Sequence, residues 1–292
     1  MKLSAYCMLC LVQRQEENIR HLGDENLKSE YMREVLRIIA ASPEDVTAPV
    51  VVAEINRLHQ DYFGAAYSFD QLKEEYDELM LKEEPWIHSV ITTSEDPLLT
   101  AIKFARAGNY IDFGAMGSIQ TDKLRSLLDT AKEEELSLTE YNSFRNDLQS
   151  AERLVYLTDN CGEIVLDKLF ITILKELYPS LDVTVIVRGK PVLNDATLED
   201  AIIVGLTPVT RVIGNGTQIA GTQLNAVSEE AGKIIEAADI IISKGQGNFE
   251  TLHGCGKNVY YMFLCKCDWF VNRFGLERYS GVFINEKNVK IA

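Results

Sequence analysis

The strongest constraint on the fold is a change in hydrophobic period near residue 150. From Asp24 to about Ser150 apolar residues recur at three-and-four spacing, as in Tyr31, Val35, Ile38 and Ile39, then Val51, Ile55 and Leu58. That is the stripe of a half-buried helix. Further helices are expected over 70–81 and 98–107, and two more over 121–148, with Pro43, Pro49, Pro85 and Pro97 at helix starts or breaks. After residue 152 short apolar runs alternate with helical stretches: strands at 154–158, 183–187, 210–213, 240–243, 259–264 and 282–284, and helices at 164–177, 198–204 and 225–238. Strand, helix, strand units of this length demand right-handed crossovers and a mostly parallel sheet covered on both faces. The expected architecture is α/β: a helical N-terminal region over 1–150 and a three-layer α/β/α Rossmann-like sandwich over 151–292.

A chain of 292 residues, 46% hydrophobic and 25% charged, has globular composition and room for a large core. No apolar run approaches the roughly 18 to 20 residues of a membrane-spanning helix. The N-terminal patch from Leu3 to Val12 is broken by Tyr6, Cys7 and Cys10, and Gln13, Arg14, Gln15 and Glu16 follow without a small-residue cleavage site. This reads as cytoplasmic sequence rather than a signal peptide. The formal net charge is −15, carried mostly by residues 1–150, with 27 acidic against 15 basic side chains. Such a surface disfavours nucleic acid and anionic membranes as partners and leaves small molecules.

In an open parallel sheet ligands bind beyond the carboxyl ends of the strands, so the residues after each strand deserve most weight. Three polar, glycine-bearing clusters lie there: 158–163 (Thr-Asp-Asn-Cys-Gly-Glu), 188–197 (Arg-Gly-Lys-Pro-Val-Leu-Asn-Asp-Ala-Thr) and 243–248 (Ser-Lys-Gly-Gln-Gly-Asn). Hard oxygen donors in the first two, Asp159, Asn160 and Asp195, are the type that Mg²⁺ or Mn²⁺ accepts while leaving positions for a phosphate. The four histidines fall outside these clusters, which argues against a histidine-based zinc hydrolase. Lys244 would add a point charge, and backbone N–H groups at Gly245, Gly247 and the helix beginning near Gly162 would donate to phosphoryl oxygens. The attacking group is either a water beside the metal or Asp159 itself. The competing reading makes Asp159, Asn160, Asn194 and Asp195 simple helix caps. Upstream, the segment 108–114 (Gly-Asn-Tyr-Ile-Asp-Phe-Gly) is either a functional loop or a plain turn.

Six cysteines in a chain of this kind point to thiols or a metal rather than disulfides. Cys7, Cys10, Cys265 and Cys267 are candidates for a second, four-thiolate site, against the alternative of buried free thiols. Two further functions compete with hydrolysis: an S-adenosylmethionine-dependent carboxyl methyltransferase, and a non-enzymatic metal or thiol binding module. The methyltransferase would place a glycine-rich loop where Asp159 and Asn160 stand. A haloacid-dehalogenase phosphatase would need an aspartate at the position of Cys161.

Taken together, Asp159-Asn160-x-Gly162-Glu163, Arg188-x-x-Pro191-x-x-Asn194-Asp195-Ala196-Thr197, Lys244-Gly245-x-Gly247-Asn248 and Gly108-Asn109-x-Ile111-Asp112-Phe113-Gly114 resemble the motifs of the metal-dependent damage-control phosphatases, formerly domain of unknown function 89. The start Cys7-x-x-Cys10 and the pair Lys266-Cys267 are similar to features of the prokaryotic branch of that family. The resemblance implies hydrolysis of phosphomonoesters, such as sugar phosphates or damaged phosphorylated metabolites, with Mn²⁺, Mg²⁺, Co²⁺ or Ni²⁺. It implies a cation on Asp159, Asn160 and Asp195. It further implies that Glu163, Asn194, Arg188 and Lys244 surround the substrate, with Asn109 and Asp112 reaching over from the helical part.

Overall fold

The computed structural model describes residues 1–64, 69–110, 121–275 and 277–290. Seven helices come first: α1 (Ala5–Ile19), α2 (Glu25–Ala41), α3 (Ala48–Phe63), α4 (Asp70–Thr92), α5 (Pro97–Ala107), α6 (Thr121–Glu133) and α7 (Leu138–Leu148). The alternating half follows: β1 (Arg153–Leu157), α8 (Glu163–Leu177), β2 (Asp182–Val187), α9 (Leu198–Ile203), β3 (Arg211–Gly214), α10 (Glu229–Ala237), β4 (Ile240–Lys244), α11 (Gln246–Leu252), β5 (Val259–Leu264), α12 (Asp268–Phe274) and β6 (Gly281–Asn285). The helix expected over 225–238 begins only at Glu229, because Ser228 accepts the Ala231 N–H and caps it there.

The sheet runs β3-β2-β1-β4-β5-β6, parallel except for β6, which pairs antiparallel with β5. Chain order reverses between β1 and β4, so the crevice where an α/β sheet binds ligands opens beyond the ends of those two strands. Alternate residues of β1 serve the two faces. Leu154 and Tyr156 join a core with α4, α5, α7 and α8, while Val155 and Leu157 pack with α10, α11 and α12. The first core runs from Tyr76 to Phe283, so hydrophobic packing does not divide at residue 150: α4–α7 belong to one layer of the sandwich. Helices α1–α3 keep a small core of their own around Tyr31, Val35, Val51 and Ile55. Among the described residues no helix is long and apolar enough to cross a membrane.

Candidate active site

The turns after β1 and β2 are stitched to each other by backbone. The Cys161 N–H donates to the Asn194 carbonyl at 2.9 Å, the Ala196 N–H donates to the Asp159 carbonyl at 2.7 Å, and Asn160 and Asp195 form an isolated antiparallel bridge. This stitching brings Asp159, Asn160 and Asp195 together from two strand ends. None of the three caps a helix through its side chain. Gly162 is the N-cap of α8, and Thr197 caps α9, with Asp200 accepting the Thr197 N–H at 2.6 Å and its hydroxyl at 2.7 Å. Asn160 instead donates through Nδ2 to Asp159 Oδ2 at 2.9 Å and to Glu163 Oε2 at 3.2 Å.

Arg188 joins the two carboxylates. Its Nε donates to Asp195 Oδ2 at 2.5 Å, its Nη2 lies 3.4 Å from Asp159 Oδ1, and its Nη1 donates to Asn248 Oδ1 at 2.9 Å. The guanidinium is only 2% exposed. Expected beside substrate, it is buried and bridges the two carboxylates. Asn248 is itself fixed, donating to the carbonyls of Thr158 and Lys244 at 3.0 and 2.7 Å.

Lys244 is also interior, with 0% exposure. Its Nζ donates to Glu163 Oε1 and, at 2.6 Å, to Asp167 Oδ1, which accepts the Tyr156 hydroxyl at 2.6 Å. Burial works to lower the ammonium's pKa, but Asp167 and Glu163 outweigh it and leave it above the ordinary lysine value. Burial pushes Asp167 up to about 6 despite Lys244. Asn109 closes this network, donating to Glu163 Oε1 while its own Oδ1 accepts the Leu264 N–H at 3.4 Å. Asp112 lies outside the described residues.

Two backbone donors expected to face a phosphate are already engaged: the Gly245 N–H donates to the Met262 carbonyl at 3.0 Å, and the Gly162 N–H to Asp77 at 2.5 Å. Gly245 has a different duty. At φ +79 a Cβ there would stand 2.1 Å from Asp159 Oδ2, so only glycine lets the β4 turn lie against that carboxylate.

Burial first, then Asp195 and Glu163, drive the Asp159 carboxyl well above its usual range, against the opposing pull of Arg188 and Lys266. Asp195 is raised as well, chiefly by burial. Four carboxylates (Asp159, Glu163, Asp167, Asp195) therefore share the buried charges of Arg188 and Lys244, with Lys266 after β5 close enough to act on Asp159. By residue type the donors suit a hard divalent cation, carboxylate and carboxamide oxygens at a strand-end crevice. In this arrangement the carboxylates face Arg188, Lys244 and Asn160 and, among the described residues, are not gathered three together around one point.

Sequence reasoning had passed over Asp77, Asp167, Tyr156 and a side-chain role for Asn248. A signal existed for two of these. Asp167 interrupts the apolar run from Ile164 to Phe170, and Asp77 sits on the apolar side of α4 beside Tyr76 and Met80.

The thiols are neighbours without forming a cage. Cys7 and Cys265 each lie within electrostatic reach of Cys267, and the Tyr6 hydroxyl of α1 approaches Asp268 at 3.4 Å. Yet Cys10 is exposed while Cys265 is buried, and among the described residues no three His, Cys, Asp or Glu side chains are gathered to hold a metal ion.

A Rossmann-like sheet with an acidic, amide-bearing crevice at its switch point defines the class as an α/β protein with a strand-end site. Residues 3–282 match the damage-control phosphatase ARMT1-like domain, and the chain belongs to that family. A damage-control phosphatase of Archaeoglobus fulgidus is 29% identical over 275 residues, covering 92% of this chain and 93% of the relative. A damage-control phosphatase of Pyrococcus horikoshii is 27% identical, covering 91% and 92%. The crystal structure of a DUF89 family protein from Pyrococcus horikoshii superposes with a TM-score of 0.82 at 25% identity, over 98% of this chain and 99% of that one.

Proposed function

We propose that this protein is a metal-dependent phosphatase that hydrolyses small phosphomonoesters, such as sugar phosphates or damaged phosphorylated metabolites, and that Asp159, Asn160 and Asp195 hold the divalent cation. Family membership and the names of its relatives support the phosphatase reading generally. The observation that carries the finer reading is the meeting of Asp159, Asn160 and Asp195, three residues with hard-oxygen side chains, where two βα turns are stitched by backbone and Arg188 touches both carboxylates. Mn²⁺, Mg²⁺, Co²⁺ or Ni²⁺ bound there would polarise the phosphoryl group and offset its developing charge.

The residues of the chain supply orientation. Arg188 holds Asp159 and Asp195 at fixed separation, and Lys244, gripped by Glu163 and Asp167, fixes Glu163 at the edge of the site. Preorganised charge of this kind costs no rearrangement during reaction. In hydrolysis a water oxygen forms the new P–O bond as the ester P–O bond breaks, the water's proton ending on the departing alcohol; where Asp159 attacks first, water then cleaves the aspartyl phosphate and frees the carboxylate. Asn194 and Lys266 stand half-buried at the same strand ends, suited to contact the substrate. The acidic surface favours compact phosphates over oligonucleotides.

The test is hydrolysis of p-nitrophenyl phosphate by chelator-dialysed protein, with each of the four cations restored in turn. Activity should vanish on chelation, return with a cation, and be absent in Asp159→Ala and Asp195→Ala. Full activity in either variant, or in the chelated protein, would overturn the assignment.

A further inference from the structure

Helix α4 grips both turns of the site through two side chains one helical turn apart. Lys73 and Asp77 lie on the same side of α4 and are 7% and 0% exposed. Asp77 Oδ1 accepts the N–H of Gly162 at 2.5 Å. Gly162, at φ +67, is the side-chain-free N-cap of the fifteen-residue α8, and its own N–H is taken by a carboxylate from another layer. Lys73 Nζ lies 2.6 Å from Asp200 Oδ2, the oxygen that closes the first turn of α9 onto Thr197. One helix thus holds the end of the turn bearing Asp159 and Asn160 and the end of the turn bearing Asp195.

As a stabilising device this is a poor choice. Asp77 Oδ2 is buried with no partner, and burial pushes the carboxyl up to about 7. A neutral acceptor in place of the carboxylate would take the same N–H without burying an ionisable group. What Asp77 provides is a direct tie from the helical layer to the backbone of the turn itself, whereas the α4–α8 ion pair of Glu84 with Lys168 grips the helix further along. We infer that Asp77, supported by Lys73, is a positioning residue for the proposed phosphatase site, setting the placement of Asp159 and Asn160 relative to Asp195. This rests on the function proposed above.

The experiment compares Asp77→Asn, Asp77→Glu and Asp77→Ala in the full chain by kcat and KM on p-nitrophenyl phosphate, Mn²⁺ affinity by calorimetry, and melting temperature. Asparagine keeps an acceptor oxygen in place. Glutamate keeps the charge but moves it by a carbon–carbon bond, about 1.5 Å. The expected result is that the asparagine variant stays within about twofold of wild type. Glutamate and alanine should lose about tenfold or more in kcat and in Mn²⁺ affinity, with KM little changed, since misplacement near 1 Å costs up to about a hundredfold. Glutamate and alanine variants with wild-type kcat and Mn²⁺ affinity would overturn the inference, as would an asparagine variant as impaired as alanine. If alanine does not fold, the contrast between asparagine and glutamate decides. If wild type binds Mn²⁺ but hydrolyses no ester, the phosphatase reading fails while the Mn²⁺ affinities still decide positioning. Wild type that binds no Mn²⁺ overturns both.

Discussion

Replacing Gly245 with alanine tests how tightly the β4 turn defines the site. The residue sits at φ +79 and ψ 157, and an added Cβ would lie 2.1 Å from Asp159 Oδ2 and 2.2 Å from its Cγ. Carbon and oxygen in contact prefer about 3.3 Å, so the carboxylate must retreat by about 1 Å. The backbone conformation itself costs a non-glycine residue about 1 to 3 kcal/mol. A shift of that size at a reacting centre lowers the rate by about a hundredfold, equivalent to about 2.7 kcal/mol of barrier. The assay is kcat/KM on p-nitrophenyl phosphate at saturating Mn²⁺, with urea unfolding in parallel. Gly254→Ala is the control: its φ is +87 with nothing within 4 Å of the new carbon, so it should lose stability and keep activity. A Gly245→Ala enzyme within about threefold of wild type would refute the claim that Asp159 works from its observed position.

Lys244→Met should lower unfolding stability by about 3 to 5 kcal/mol in urea melts, because Glu163 and Asp167 lose their buried counter-ion; an unchanged midpoint would contradict the pairing. Asp77 behaves in the opposite sense. Its folded carboxyl holds a proton up to about 7 against an ordinary 3.8, so its stabilising contribution is full below the ordinary value and is lost as pH rises through about 7. Asp77→Asn never ionises, and its stability relative to wild type should therefore improve by about 2 to 3 kcal/mol between about pH 5 and pH 8. A pH-independent difference would show that Asp77 is not buried as found.

The change of period at residue 150 was enough to separate helical from alternating sequence, because strands and helices leave different apolar spacings. It did not reveal that α4–α7 share a core with the sheet, since residues as far apart in sequence as Tyr76 and Phe283 are joined in one cluster only through packing across the chain. The reversal of β6 was equally hidden: its apolar pattern is that of any strand, and direction is set by the connection through α12. At the site, the strand-end clusters exposed the residues that converge, but residue type alone did not separate an exposed cation from a buried one. Lys244 reads in sequence as a charge for a phosphate and Arg188 as a neighbour of substrate, and only the structure shows the carboxylates each already holds. Asp167, one turn along α8 from Glu163, is what fixes the lysine in the interior. The cap reading for Asp159 and Asn160 does not hold, because Gly162 is the N-cap of α8 and its N–H is accepted by Asp77, 85 residues away in sequence.

Calorimetric titration of Mn²⁺ into metal-free wild type, Asp159→Ala, Asp195→Ala and the Cys7→Ser, Cys10→Ser double variant tests the central claim most directly. The account predicts a single saturable site in wild type that survives loss of the two thiols and disappears with either carboxylate. Mn²⁺ binding unchanged in both aspartate variants would contradict it.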